Sequence, residues 1–178
     1  AGWAHSLAAL DDGSVWAWGN GANGRLGNGQ TADQRTPVEV VFPGSVTAKA
    51  LAVAAGWAHS LAALDDGSVW AWGFGANGRL GNGQTGEQRT PVRVVFPGSV
   101  TAKALAVAAG AHHSLALLDD GSVWAWGHFA NGRLGTGQTA DQTSPVRVGS
   151  FGAAGEAEGI AVAAGELHSL ACDGVLRR

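Results

Sequence analysis

The sequence contains one cysteine, Cys172, and it lacks both a long apolar run and an excess of basic residues. A single cysteine excludes an internal disulfide. A transmembrane helix needs roughly 20 consecutive apolar residues, and no segment approaches that length. Lys and Arg number 11 against 14 Asp and Glu, which gives a net charge of −3 and no basic stripe for a phosphate backbone. From these absences we expect that the protein binds neither a membrane nor a nucleic acid.

The chain is instead dominated by an internal repeat. Residues 2–55 and 56–109 differ only at Asn20/Phe74, Ala32/Gly86, Asp33/Glu87 and Glu39/Arg93. A third copy fills residues 110–164 with more changes, and a partial fourth copy occupies 165–178. A fixed period in or just above the range of 20 to 50 residues indicates a solenoid, a propeller or an array.

Each copy has the pattern of short strands joined by turns. Residues 5–10 and 14–19 are apolar runs that flank Asp-Asp-Gly, which predicts a β-hairpin because Gly accepts positive φ at little cost. Pro37 is predicted to open a third strand, since a missing N–H is tolerated best at a strand start. The small apolar residues 48–55 predict a strand buried on both faces, with a short helix as the alternative.

Four sequence elements recur in the same order and resemble the repeats of the regulator of chromosome condensation family. They are G-x-x-H-S-L-A-L, D-G-x-V-x-x-W-G, N-G-x-L-G-x-G and P-V. The resemblance covers essentially the whole chain. It implies an all-β protein, a β-propeller whose blades have four antiparallel strands, and a ring that usually has seven blades. Residues 1–178 would then form a single half-ring domain.

Three and a quarter blades cannot close a ring, because propellers have 4 to 8 blades. With the small apolar strand as A, the chain contains strands BCD, ABCD, ABCD, AB and a remnant of C. A homodimer that meets head to tail would complete a six-bladed ring, with residues 160–164 of one chain supplying the A strand of the other. Residues 167–171 would then compete with residues 5–10 for one position. A seven-bladed ring and a fragment of a longer array are the alternatives.

Residues that recur at equivalent positions are interpreted as structural. Tryptophans two apart on a strand share one sheet face, which suits packing between blades. Recurring histidines beside Ser indicate a structural hydrogen bond, and adjacent strand residues point to opposite faces, so no catalytic triad is predicted. The structural set comprises Trp16, Trp18, Trp70, Trp72, Trp124, Trp126, His5, His59 and His113.

Turn residues that change between copies are the candidates for partner binding, because loops carry function. Trp3 and Trp57 are replaced by Ala111 and Glu166 in the later copies. The two histidines that break the repeat have no carboxylate or Cys at ligand spacing, which predicts no metal site. Gly19, Gly21 and Gly24 spell G-x-G-x-x-G without a following helix, so no cofactor is predicted. The candidate set comprises Trp3, Trp57, Asn20, Phe74, His112, His128 and Phe129.

These observations predict a protein-binding scaffold without enzyme activity, as the resemblance implies for most family members. One alternative is a tryptophan-based ultraviolet sensor, because some plant members sense ultraviolet-B light and carry a G-W-R-H-T motif. Here Ala4 and Ala58 replace the Arg of that motif, so the cation that would stack on an indole is missing. A proteinaceous enzyme inhibitor is the second alternative.

Overall fold

The structure, a computed structural model, describes residues 1–44, 46–98, 100–149, 151 and 159–173. Within these ranges the chain forms strands and three single 3₁₀ turns, at Ala22–Gly24, Ala76–Gly78 and Ala130–Gly132. No helix there reaches the length and hydropathy of a membrane span. The strands are β1 (His5–Ala9), β2 (Val15–Gly19), β3 (Gln34–Glu39), β4 (Ala50–Ala55), β5 (His59–Leu64), β6 (Val69–Gly73), β7 (Gln88–Arg93), β8 (Ala104–Ala109), β9 (His113–Leu118), β10 (Val123–Gly127), β11 (Gln142–Arg147), β12 (Gly159–Ala164) and β13 (Ser169–Asp173).

The strands form four antiparallel sheets that follow one another along the chain. The first sheet has the order β1-β2-β3, the second β4-β5-β6-β7, the third β8-β9-β10-β11 and the fourth β12-β13. The all-β fold with four-stranded blades is thereby confirmed for the second and third sheets. The described sheets do not close into a ring. The expected remnant of a C strand after β13 lies outside the described residues.

The predicted hairpin between the first two strands of each copy is confirmed, in the register His5↔Gly19. Gly13 adopts φ 91° in the turn. The Asp12 carboxylate accepts hydrogen bonds from the backbone N–H of Ser14 at 2.8 Å and from its hydroxyl at 2.7 Å. The Ser14 oxygen in turn accepts the indole N–H of Trp16 at 3.0 Å. The turn therefore orients the first tryptophan of the strand.

Two details of the strand prediction were wrong. Pro37 does not open the third strand but is the fourth residue of β3. It is tolerated there because β3 is the outer edge of its sheet, where a missing N–H need not cost a ladder bond. The small apolar segment is a strand but not one buried on both faces, since Leu51 in β4 and Leu105 in β8 are 58% and 53% exposed.

The second and third sheets each insert an indole into the sheet that precedes them. Trp126 of the third sheet is fully buried, and its N–H donates to the carbonyl of Arg79 at 2.9 Å. A Cβ at Gly81 would lie 2.7 Å from the Trp126 nitrogen, so this contact requires glycine. We call the receiving site the indole socket. It consists of Arg79, Leu80, Gly81 and Val94 in the second sheet, and of Arg25, Leu26, Gly27 and Val40, which receive Trp72, in the first.

Trp16 and Trp18 stand at strand positions equivalent to those of the other four strand tryptophans, but no described sheet precedes theirs. Both are half-buried, as is Trp70. Packing of Trp16 and Trp18 between blades stays a prediction.

The recurring histidines form a polar relay between sheets. His59 Nε2 lies 2.9 Å from the hydroxyl oxygen of Ser114 in the next sheet, and that hydroxyl donates to the Arg79 carbonyl at 2.8 Å. A serine has one O–H, so the hydroxyl must accept from a protonated Nε2, and Nδ1 carries no proton. The other two sheet pairs repeat the arrangement, with His5 on Ser60 and His113 on Ser169.

Truncating a socketed indole should destabilise the protein far more than truncating an exposed one. Trp126→Ala removes a fully buried ring and its hydrogen bond, for which we expect a loss of about 3–5 kcal/mol in the free energy of unfolding. Trp3 is 76% exposed, and Trp3→Ala should cost less than about 0.5 kcal/mol. Urea unfolding followed by circular dichroism measures both. Equal losses would contradict inter-sheet packing as the main source of stability.

The relay also predicts a loss of stability in acid. Burial, aided by a neighbouring arginine, lowers the pKa of His5 and of His113 to about 4, and burial lowers that of His59 well below its ordinary value. The unfolded chain takes up these protons near pH 6.5 while the folded chain does not. The free energy of unfolding should therefore decrease as the pH falls from about 6.5 to about 4.

Urea unfolding at several pH values between 7 and 4 tests this expectation. His59→Gln keeps an N–H donor near Ser114 but cannot titrate, so its stability should fall less steeply than that of the wild type over this window. Identical pH dependence of the two proteins would contradict the relay as the source of the acid sensitivity.

Candidate functional site

Five aromatic rings form a continuous row on the surface that carries the turns before β1, β5 and β9. We call it the aromatic row. The ring centroids are separated by 5.8 Å between Trp3 and Trp57, 5.4 Å between Trp57 and His112, 6.1 Å between His112 and His128, and 5.8 Å between His128 and Phe129. Every one of these rings belongs to the predicted partner-binding set. The structure thus brings together residues that the sequence only marked as variable.

Stacked glycine turns position the tryptophans of the row. The backbone N–H of Trp3 donates to the carbonyl of Gly56, and that of Trp57 donates to the carbonyl of Gly110, each at 3.3 Å. A Cβ at Gly56 would lie 2.4 Å from the Gly110 carbonyl oxygen, so the turns approach each other too closely for a larger residue. Successive turns therefore lie side by side, and the residue after each glycine projects at the surface.

The third copy supplies the other rings from different positions. It has Ala111 where the first two copies have tryptophan, and the next residue, His112, contributes the ring instead. His128 and Phe129 stand where the second copy has Phe74 and Gly75. The Phe129 N–H donates to the Asp141 carboxylate at 3.1 Å, as the Gly21 N–H does to Asp33 at 2.9 Å. The loop therefore keeps its anchor while presenting a large ring.

The row is accessible, and it borders a groove of about 450 Å³. Trp3 is 76% exposed and Trp57 is 41% exposed, which is unusual for indoles. Glu166, which stands at the tryptophan position of the fourth copy, also lines the groove. The sequence marked this position only as one that varies. The groove thus combines apolar rings with one carboxylate.

The surroundings of His112, the third ring of the row, favour its neutral form. Burial, together with the positive charges of Arg79 and Arg133, lowers the pKa of His112. His128 lies 3.9 Å from the Asp141 carboxylate. The described residues contain no group of three His, Cys, Asp or Glu side chains placed to hold a metal ion.

Two of the predicted partner-binding residues stand apart from the row. Asn20 is used within its own loop, where its side chain donates to Asp33 at 3.0 Å and accepts from the backbone N–H of Ala22 at 3.2 Å. The Phe74 ring lies 5.1 Å from the guanidinium carbon of Arg79. Within the described ranges neither residue makes a ring contact with the row.

The recurring arginines beside the row are structural carbonyl binders. Arg79 is 1% exposed, and it donates to the carbonyl of Ala76 at 2.9 Å and to that of Ala111 at 3.0 Å. Arg25 makes the equivalent bond to the carbonyl of Trp57 at 3.1 Å. The bonds to Trp57 and Ala111 tie the loops after β2 and β6 to the turns before β5 and β9 of the next sheets.

Comparison with known proteins places these repeats in context. The family described as "Regulator of chromosome condensation (RCC1) repeat" matches residues 12–63, 66–117 and 120–172, and a second model of the same repeat matches 51–79 and 105–133. The "Ultraviolet-B receptor UVR8" of Arabidopsis thaliana is 32% identical over 145 residues, which cover 81% of this chain and 32% of the receptor. The human "E3 ubiquitin-protein ligase HERC2" is 34% identical over 173 residues, which cover 97% of this chain and 4% of the ligase.

Solved structures share the fold. Human WBSCR16 superposes with a TM-score of 0.81 at 23% identity, over 97% of this chain and 43% of that one. Prp20p from Saccharomyces cerevisiae, which binds Gsp1p and histones, superposes with a TM-score of 0.79 at 24% identity, over 96% of this chain and 42% of that one. The chain thus spans about a third of the receptor and less than half of each of these solved chains.

Proposed function

The chain belongs to the RCC1 repeat family, and we propose that it is a non-catalytic scaffold that binds a protein partner through the aromatic row. The observation that carries the proposal is the exposure of Trp3 and Trp57 in a row of five touching rings. Residues that serve only the fold recur in every copy, whereas the rings of the row do not. Prp20p offers a precedent for protein binding on this fold.

The chemistry of the row suits a protein surface. Tryptophan dominates binding hot spots because it buries a large area at a small cost in conformational entropy. The neutral His112 adds ring surface without a charge to desolvate, and Glu166 offers an acceptor at the edge of the groove. We therefore propose a partner segment that presents aliphatic or aromatic side chains with a basic or N–H group beside them.

The histidines support a non-catalytic role. His59 and His113 are fully buried, and each directs Nε2 to a serine hydroxyl of the neighbouring sheet. That hydroxyl already donates to a backbone carbonyl, so it is not poised as a nucleophile toward solvent. These contacts support a structural role for the His-Ser pairs.

Selection of a displayed peptide library on the protein tests the scaffold proposal. Peptides selected on the wild type should lose affinity for Trp57→Ala by roughly tenfold or more, with unchanged folding by circular dichroism. The matched control is Val95→Ala, because Val95 is also apolar and 54% exposed but lies outside the row. Selected peptides that bind wild type and Trp57→Ala equally would refute the row as the binding site.

An ultraviolet sensor is the second candidate, favoured by the Trp3 and Trp57 indoles 5.8 Å apart and by the similarity to the receptor UVR8. The position after each of these tryptophans is alanine, and in the described residues the cation that lies over an aromatic ring is Arg79 on Phe74. We expect ultraviolet-B illumination to leave the molar mass by light scattering unchanged. A change on illumination, absent in Trp57→Phe, would favour the sensor instead.

We also propose that two copies of the chain complete one ring. The first sheet lacks the A strand that the other sheets place before β5 and β9, and the fourth sheet consists of the A and B strands β12 and β13. The two incomplete sheets are therefore complementary. Such a ring would leave no unpaired sheet edge between copies. The ring has six blades if either β13 or the partner's β1 is displaced, and a ring of seven blades is the alternative.

A further inference from the structure

The two tryptophans of the aromatic row, Trp3 and Trp57, have indole N–H groups that donate no hydrogen bond within the described ranges. The tryptophans inserted between sheets differ in this respect, since Trp72 and Trp126 each donate to a backbone carbonyl at 2.9 Å. Where a buried indole serves the fold, its N–H is thus also used. In the row both the ring and the donor are free to contact a ligand.

Trp57 is exposed although a copy of the repeat flanks it on each side. The turn that carries Trp3 precedes it and the turn that carries His112 follows it, with ring centroids 5.8 and 5.4 Å away. Trp57 is nevertheless 41% exposed. Its accessibility therefore belongs to the interior of the repeat series, and Trp57 is the central ring of the site.

The backbone around the row favours one mode of peptide binding over two others. All five rings stand outside the strands, in the turns before β1, β5 and β9 and in the loop after β10. A peptide that adds as a strand needs an exposed strand edge, and the row lies beyond the strand ends. A bound helix uses its carbonyls internally, apart from those of its last turn, so it offers few acceptors to the free indole donors.

A proline-rich segment in the polyproline II conformation has the complementary chemistry. Its backbone makes no internal hydrogen bonds, so its carbonyls are free to accept. Each proline also lacks an N–H that binding would have to remove from water. Because the conformation exists before binding, little entropy is lost, and aromatic-lined grooves recognise such segments for this reason.

The spacing of the rings fits this conformation as well. One turn of a polyproline II helix contains three residues and is about 9 Å long. That length exceeds one step of the row, which is 5.4 Å between Trp57 and His112, and it is shorter than two such steps laid end to end. Two prolines one turn apart would therefore contact the rings on either side of Trp57, with the carbonyls between them near its indole.

The groove beside the row adds a preference for charge. Its volume is about 450 Å³, and Trp3, Trp57, His112 and Glu166 are among the residues that line it. Glu166 is exposed in the turn between β12 and β13, and no lysine or arginine of the described residues lines the groove. A basic residue beside the prolines would complement this carboxylate. His112, whose neutral form its surroundings favour, would not repel it.

We propose that the aromatic row binds a proline-rich segment in the polyproline II conformation, with a lysine or arginine beside the prolines. The prolines pack on Trp3, Trp57 and His112, a carbonyl of the segment accepts the Trp57 indole N–H, and the basic side chain pairs with Glu166. This inference rests on the proposed function of the row as a protein-binding site, and it names the chemistry of the partner.

Isothermal titration calorimetry with a short oligoproline peptide that ends in two arginines tests the proposal. The matched peptide has glycine in place of every proline, so it keeps the length and the charge but loses the rings and the preformed conformation. We expect the proline peptide to bind roughly tenfold more tightly or better. Equal affinities of the two peptides would overturn the proposal.

Variants of Trp57 separate the ring from its donor. Trp57→Ala should weaken binding of the proline peptide by roughly tenfold or more, whereas Trp57→Phe keeps a ring without an N–H and should weaken it by about threefold. Val95→Ala is the control outside the row and should bind as the wild type does. Circular dichroism verifies that each variant is folded. Binding that is unchanged in Trp57→Ala would overturn the proposal.

Glu166→Gln tests the charged contact. It should weaken binding of the arginine-ended peptide by about threefold at low salt, and it should leave binding of the same oligoproline ending in two glutamines unchanged. An equal effect on both peptides, or no effect on either, would contradict the pairing of a basic residue with Glu166.

Comparison with the library selection shows which of the two proposals fails. Selected peptides that need Trp57 but lack prolines, together with an oligoproline peptide that does not bind, would refute the polyproline inference and support the scaffold. Selected peptides that bind Trp57→Ala as they bind the wild type would refute both. Proline-rich selected peptides that need Trp57 would support both.

Discussion

The insertion of one indole into the preceding sheet is the interaction on which the rest of this structure depends. A single strand pair would bury little, and each sheet has apolar residues on both faces that must be covered by neighbours. The indole of Trp126 covers Leu80 and Val94 and satisfies its own N–H on the Arg79 carbonyl, so apolar and polar requirements are met together. Stability then becomes a sum of contacts between neighbouring sheets.

The polar groups between the sheets follow from that arrangement. Arg79 is buried as a cation, with its pKa lowered to about 10 by burial, and its guanidinium donates to backbone carbonyls and to Asn77. A second buried cation nearby would be costly. The neighbouring His59 is accordingly neutral. Its Nε2–H donates a hydrogen bond to the Ser114 hydroxyl, which in turn donates to the Arg79 carbonyl. One arginine thus organises the loop, the socket and the relay.

The sequence predicts most of the framework because each local signal agrees with the fold. The Asp-Gly turn and the paired tryptophans give the hairpin, and the glycines stand where backbones approach closely. Pro37 was misplaced because pattern alone does not tell an outer edge strand from a central one. The exposure of Leu51 was missed because it depends on where β4 lies among the packed sheets, and the local sequence pattern does not specify that tertiary arrangement.

The aromatic row could be anticipated only as a set of variable positions. Its rings come from four loop segments in three sheets, so their contact depends on how the sheets stack. The third copy keeps Trp126, Arg133 and Gly135 while it changes the row through Ala111, His112 and Phe129. Contacts that hold the sheets together and rings that face solvent therefore occupy separate positions of the same repeat. Because of this separation, the surface can change from copy to copy without loss of the interactions that build the fold.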